Sequence, residues 1–527
     1  MTKMDKEDYR GVFDLSDADG VNESERLLFR LCRRSFLSLW AHANLHTDQD
    51  MRAGKGSAKE FADVLVVFGD DVIIFSDKHV SFQAEKDVRT AWGRWYRRAV
   101  VDSSKQLHGA MGWVQRFPNR VFLDPKCTRP LPIQIPPPER ARYHLVAITR
   151  GSFDACAAHF PGSLGTHQIR TDLEGKAHEG APFTIGVLDR SKRFVHVFDE
   201  YSLEVLMDEM DTITDFVRYL RARETFLLDE DTLVIATGEE QLIASYIVNS
   251  NNERRAFLPE YEEGKPDFVM LDESHYPALK ARAEYLQMRK DNARSRIWDE
   301  MVERFIQLGD PAMVLPGIVQ PNDETEQALR IMATEPRFRR RVLIEALTGL
   351  LENAAAAPSG RRARVFTTRQ DPHLVYIFLV LPQRESESYE EYRRHRASVL
   401  HAYVRCAKLK FPAGETFIGI GLDHPSRRQK GGSEDLIIFN CVEFTDEGRA
   451  EAERMRHDLG ILADDLPVQH DSRRQFSRPS ASQYAEPAQR EKREYTQCST
   501  SDEVKASAKR KAKARAAKAS RKRNRRK

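Results

Sequence analysis

Asp63 opens one apolar, β-branched run of the chain and Lys78 closes the next. The two runs, 61–68 and 72–78, are separated by Gly69-Asp70-Asp71, which is a strong hairpin signal. Chains reverse direction in a hairpin, so the start of the first strand lies beside the end of the second. A carboxylate and an ammonium then meet at one rim of a sheet, provided that the register gives them the same face. An even number of turn residues puts Asp63, Ser76 and Lys78 together; an odd number pairs Asp63 with Asp77 instead. The chemistry suited to such a pair is phosphodiester hydrolysis. A rim carboxylate holds a divalent cation against the scissile phosphate while a nearby ammonium positions or polarises the attacking water. Oxygen ligands and partial hydration favour Mg2+ or Mn2+.

A further carboxylate from a preceding helix would complete such a shell, and the pattern of 22–40 supplies one. Phe29, Cys32, Phe36 and Leu39 recur at helical spacing, and Glu25 falls on the same inward stripe, whereas Glu23 is offset from it. Without a ligand, Glu25 would instead salt-bridge Arg30 or Arg33. The stretch 42–59 is polar and contains Gly54-Lys55-Gly56-Ser57, which lacks the earlier glycine of a phosphate-binding loop and reads as a flexible connection. After the hairpin, residues 89–117 read as a helix with Trp92, Trp95, Ala99, Gln106, Ala110 and Trp113 on one side. The tryptophans are expected in the core rather than as base-stacking platforms. Gln106 is either a site residue or a partner for backbone groups. His42, His46, His79 and His108 are read as surface or packing residues.

Beyond the Pro-rich break at 130–138, a buried strand is expected at 143–148, a second hairpin at 183–188 and 194–198, and a helix over 202–220. A strand at 233–236 and a helix opening at Gly238-Glu239-Glu240 close this α+β part. Residues 272–354 are mostly helical in pattern. Strands at 375–381, 417–422 and 436–439 with a long helix from Tyr389 make a second α+β part. From 463 onward the chain is polar and is expected to be disordered. The resulting division is 20–255, 260–355, 356–460 and 463–527.

Hydrophobic residues make up 41% and charged residues 31% of the 527, the balance of a folded globular protein rather than a fibrous one. No run is long and apolar enough to span a bilayer and the first residues do not read as a secretion signal, so a cytoplasmic address without membrane contact is expected. Six scattered cysteines without a CxxC pair argue against a disulfide framework or a zinc knuckle. The net charge of +3 conceals an asymmetry: residues 505–527 hold thirteen Lys or Arg and no acid, which leaves the rest of the chain acidic. Such a tail associates with polyanions by counterion release, or else only keeps the chain solvated.

The order of helix with Glu25, strand opening at Asp63, hairpin, strand ending Ser76-Asp77-Lys78 and helix with Gln106 resembles the PD-(D/E)XK, restriction-endonuclease-like superfamily. The resemblance covers residues 20–125. It implies an α/β (α+β) fold with an αβββαβ core, Mg2+- or Mn2+-dependent cleavage of nucleic acid, DNA rather than RNA, and a setting in restriction or phage defence. It also implies that Asp63 is a metal ligand and that Lys78 stands near the attacking water, with Gln106 close by. Ser76 occupies the place of the motif's second acid, so Asp77, Glu60 or Glu85 would have to substitute, or the copy is inactive and serves as a nucleic-acid-binding or assembly scaffold. Paired cuts in duplex DNA would need two sites, which is compatible with a homodimer. A third reading makes the helical segment 276–308 an adaptor surface.

Overall fold

The computed structural model describes Phe13, Leu15 and residues 22–463, apart from 53, 55, 251–254, 261–263, 309–321, 369–370 and 427–432. The basic tail therefore lies outside the described residues. Among those described, no helix is long and apolar enough to cross a membrane.

The chain is a mixed α/β protein built on three sheets. It begins α1 (Glu23–Phe36), β1 (Ala41–Thr47), α2 (Gln49–Arg52), β2 (Lys59–Phe68) and β3 (Asp71–His79). Next come α3 (Val88–Tyr96), a π-helical turn at Arg97–Val101, α4 (Asp102–Arg116) and β4 (Arg142–Arg150). The strand β1 replaces the flexible connection expected at 42–59. Its apolar positions are Ala41, Ala43 and Leu45, alternating with His42, Asn44 and His46, so the period of two was present but was written mostly in alanine, a poor strand former. His42 is buried and its Nε2 lies 3.1 Å from the Leu39 carbonyl oxygen, which satisfies a polar ring inside the core.

Then follow α5 (Phe153–His159), β5 (Gln168–Glu174), β6 (Thr184–Val187), β7 (Val195–Asp199), α6 (Glu200–Glu209), α7 (Ile213–Leu228), β8 (Leu233–Ala236), α8 (Glu239–Asn249) and β9 (Phe268–Leu271). The first sheet has the order β1-β2-β3-β4-β7, antiparallel across β1, β2 and β3 and parallel from β3 to β4 to β7. The second has the order β6-β5-β8-β9. The expected hairpin at 183–198 is thus overturned: β6 and β7 belong to different sheets, and β7 runs parallel to β4 with every residue buried. Burial on both sides is what parallel strands require, and the unbroken apolar run fits that role as well as it fits a hairpin arm.

The helix expected over 202–220 is in fact two. Thr212 caps α7 by accepting the Asp215 N–H, which restarts the helix after Met210. Asp211, in the break, meets Arg337 at 2.7 Å inside the protein.

The remaining elements are α9 (His275–Lys280), α10 (Ala283–Arg294), α11 (Arg296–Leu308), α12 (Asn322–Thr334), α13 (Arg337–Ala356), β10 (Arg362–Phe366), β11 (Leu374–Leu381), α14 (Tyr389–Lys410), β12 (Thr416–Asp423), β13 (Glu434–Asn440) and α15 (Asp446–Leu459). The third sheet has the order β10-β11-β12-β13. Along β11, Val375, Ile377, Leu379 and Leu381 pack with α14, whereas Tyr376, Phe378 and Val380 join the large core that also holds the first two sheets.

Two faces of the first sheet position the candidate residues. Phe36 of α1 and Phe216 of α7 pack about Phe75 on one side, and α4 lies across β2, β3 and β4 on the other. Trp92 and Trp95 are buried and donate to the carbonyls of His178 (2.6 Å) and Val80 (2.8 Å), as core residues do. Gly151, just past β4, has φ +91°, and a Cβ there would lie 2.5 Å from the Val80 carbonyl oxygen. We expect Gly151→Ala to destabilise the fold by about 2 kcal/mol or more, since it adds a left-handed backbone penalty to a steric clash. Equilibrium urea unfolding measures this, and a midpoint equal to that of the parent chain would refute it.

Candidate active site

The hairpin turn is Gly69-Asp70, with Phe68 opposite Asp71 and Val64 opposite Phe75. Two turn residues are an even number, and one more step of the same register sets Asp63 opposite Ser76. That parity would give Asp63 the face of Ser76 and Lys78, which α4 covers, while Asp77 takes the parity of Phe75; the observed pairs stop at Val64 and Phe75. The ladder itself ends at Val64, because the Asp63 carboxylate reaches across and accepts the Asp77 N–H at 2.5 Å.

Burial pushes the Asp63 carboxyl up to about 7; the Asp77 N–H opposes this, and the negative fields of Glu25, Glu60 and Asp77 add to it. Asp77 is also held above the ordinary carboxylate range, chiefly by burial, with the Arg150 guanidinium opposing and Glu25 again raising it. Arg150 Nε approaches both Asp77 oxygens, at 2.9 and 3.1 Å, and the Asp77 side chain is fully enclosed. The carboxylate offered by the sequence as a substitute ligand is thus already engaged, on the far face, by a cation from β4.

Glu25 lies in the first turn of α1, where Asn22 caps the helix: the Asn22 side chain accepts the Glu25 N–H at 2.9 Å and donates to Glu25 Oε1 at 2.5 Å. Arg33, one of the alternative salt-bridge partners, pairs with Glu303 at 3.9 Å. Glu25 is nevertheless near enough to Asp63 and Asp77 to bias both. Glu60 is exposed on β2 opposite His46, and Glu85 is exposed in the loop after β3.

Ser76 is buried, with its Oγ 3.4 Å from Ser103 Oγ and 3.5 Å from Gln106 Oε1, both on α4. These are long, weak contacts among neutral oxygens. Lys78, next on this face and half-buried, makes no ion pair or hydrogen bond among the described residues. Of the sequence-derived set, the structure puts Ser76 against Gln106 and joins Asp63 to the Asp77 N–H, with Glu25 near enough to bias both carboxyls and Lys78 next after Asp77 on β3. It adds two residues that the sequence reading missed. Ser103 is one helical turn before Gln106 and shared its signal; Arg150 gave no local signal, since its partner lies on the neighbouring parallel strand.

For a metal, the donor set is carboxylate-poor. Among the described residues no group of three or more His, Cys, Asp or Glu is arranged to hold an ion. Asp63 and the neutral oxygens of Ser76 and Gln106 suit a hard cation that keeps most of its water, as Mg2+ does, and not a dehydrated zinc site. Comparison with known protein families, with curated proteins and with solved structures finds no match to this chain.

The raised Asp63 pKa has a definite sign. The carboxyl titrates near 7 in the fold against an ordinary 3.8, so the folded state binds its proton more tightly than the unfolded state. Its contribution to stability is complete below about pH 4 and is lost as pH rises through about 7. Asp63→Asn, whose amide oxygen still accepts the Asp77 N–H, should therefore be more stable than the parent at pH 8, on the order of 2 kcal/mol after allowance for solvent access, and should match it near pH 4. Urea midpoints across that range test this; a difference that does not vary with pH would refute it.

Proposed function

We propose that this chain is a metal-dependent phosphodiester hydrolase acting on nucleic acid, DNA in the first instance, on a restriction-endonuclease-like core. The observation that carries the reading is the end of the β2–β3 hairpin, where the Asp63 carboxylate accepts the Asp77 N–H from the strand that bears Ser76 and Lys78. Supporting it are the element order α1-β1-α2-β2-β3-α3-α4-β4 and the parallel placement of β4 beside β3.

In this reading Asp63, with Ser76 and Gln106, holds a hydrated Mg2+ or Mn2+ ion, which when bound supplies charge against the phosphate and lowers the pKa of a coordinated water. Lys78 brings an uncommitted ammonium to the same face, where it orients the attacking water and balances charge on the phosphate. The raised proton affinity of Asp63 favours a cation above neutral pH, since ionising this carboxyl next to Glu25 and Glu60 is costly until positive charge arrives. The basic segment 505–527 adds non-specific affinity for a polyanion.

A second reading is favoured by one observation: Ser76 stands where the resemblance requires an acid, and Asp77 is held by Arg150. The chain is then an inactive relative that binds nucleic acid or scaffolds an assembly.

Nicking of supercoiled DNA in Mn2+ separates the two readings. The hydrolase reading expects nicking by the wild-type chain, with Asp63→Ala and Lys78→Ala slowing it at least about a hundredfold. Equal nicking by all three would remove the site. No nicking by any, together with a salt-dependent DNA shift by all, would establish the scaffold reading in its place.

A further inference from the structure

At the opposite end of β3 from Lys78, seven residues and roughly 23 Å away along the strand, lies a cavity of about 450 Å3. Its walls include Arg142 at the start of β4, Arg193 just before β7 and Arg221 on α7, with Met111 of α4, Tyr143 and His144. Three elements distant in sequence thus deliver guanidiniums to one hollow.

The charges there do not cancel. Asp71 faces Arg142 at 3.5 Å and His144 Nε2 at 2.9 Å, and also pairs with Arg221. Arg193 donates to the Tyr143 carbonyl at 2.8 Å and pairs with Glu224 at 2.9 Å. Two carboxylates therefore serve three guanidiniums. Each guanidinium carries five N–H donors, so most of those on Arg142 and Arg221 remain uncommitted among the described residues. Their side chains are 53% and 42% exposed, accessible to a ligand rather than sealed in the core. Tyr143 and His144, which also line the hollow, are themselves buried, and the Tyr143 hydroxyl and His144 Nδ1 have no hydrogen-bond partner among the described residues.

We propose that this cavity binds a nucleotide phosphate ester. Planar guanidinium forks match phosphate oxygens two at a time. The volume exceeds what a bare phosphate needs and falls in the range of small-ligand sites. Met111 and the Tyr143 ring supply an apolar wall for the base or sugar. The phosphate belongs either to a free mononucleotide or to a nucleic-acid strand. Arg221 also lines a second cavity of about 440 Å3 with Arg218, Arg255 and Lys265, where the following phosphates of a strand would lie. This site is independent of Asp63 and Lys78.

The test uses the full chain and two probes: adenosine monophosphate, followed by calorimetry, and a fluorescent single-stranded oligonucleotide, followed by anisotropy. Arg142→Gln leaves Asp71 with His144 and Arg221, and thermal unfolding checks that it folds. It should weaken whichever probe binds by about tenfold, as the loss of a charge-assisted hydrogen bond. Binding is read without added metal and cleavage is not scored, so failure of the hydrolase reading leaves this outcome unaffected. Binding of both probes with the mononucleotide insensitive to Arg218→Gln supports the site with a free nucleotide as its ligand. Oligonucleotide binding alone, sensitive to both Arg142→Gln and Arg218→Gln, supports it with a strand. The proposal is overturned if neither probe binds at millimolar concentration, or if Arg142→Gln binds as tightly as the parent chain.

Discussion

The register of β2 against β3, set by the turn Gly69-Asp70, decides which side of the first sheet each later residue occupies. The period of a strand is two, so a slip of one residue would send Phe75 toward α4 and Ser76 toward α1 and α7. Phe75 packs with Phe36 and Phe216, and Val64, Val66, Ile73 and Ile74 are buried, which makes such a slip prohibitive in lost apolar burial. Hydrophobic packing of the hairpin thereby places the polar residues at its end. The positions of Asp63, Ser76 and Lys78 are a consequence of where their apolar neighbours must go.

The two ends of β3 then carry opposite electrostatic problems. At its final residues, carboxyls crowd together with burial against them, and Arg150 answers for Asp77 alone. At its first residue, Asp71 is one carboxylate among several cations. Parallel pairing with β4 links the two, since the same strand contributes Arg142 opposite Asp71 and Arg150 beyond Asp77. A sheet strand has little dipole of its own, so this polarity comes from side chains and not from the backbone.

Much of this was legible in the chain. The hairpin, the helix of Glu25, the strand of Ile148 and the common face of Ser76 and Lys78 follow from periodicity and turn chemistry. So do β11, β12 and β13, whose apolar runs are dense. What escaped had weak local signals or long-range causes. Strand β1 is built on Ala41 and Ala43, and β5 reads Gln-Ile-Arg-Thr-Asp-Leu-Glu, with two apolar residues in seven. The break at Met210 depends on Thr212 as a cap and on Asp211 meeting a distant arginine. The engagement of Asp77 by Arg150 and the contact of Ser76 with Ser103 required knowing which strand and helix become neighbours. The assignment of β6 and β7 to separate sheets likewise lies in tertiary pairing, not in their composition.

Strand β11 belongs to two hydrophobic bodies at once, giving Val375, Ile377, Leu379 and Leu381 to one and Tyr376, Phe378 and Val380 to the other. Neither body can melt without stripping half of that strand's side chains of their neighbours. Unfolding of the last sheet is in this way coupled to unfolding of the sheet that bears Asp63, and the coupling runs through packing rather than through the chain. Thermodynamic cooperativity of this kind makes β11 a structural keel for the sheet that bears Asp63, and mutations along β11 will be felt at a rim that they never touch.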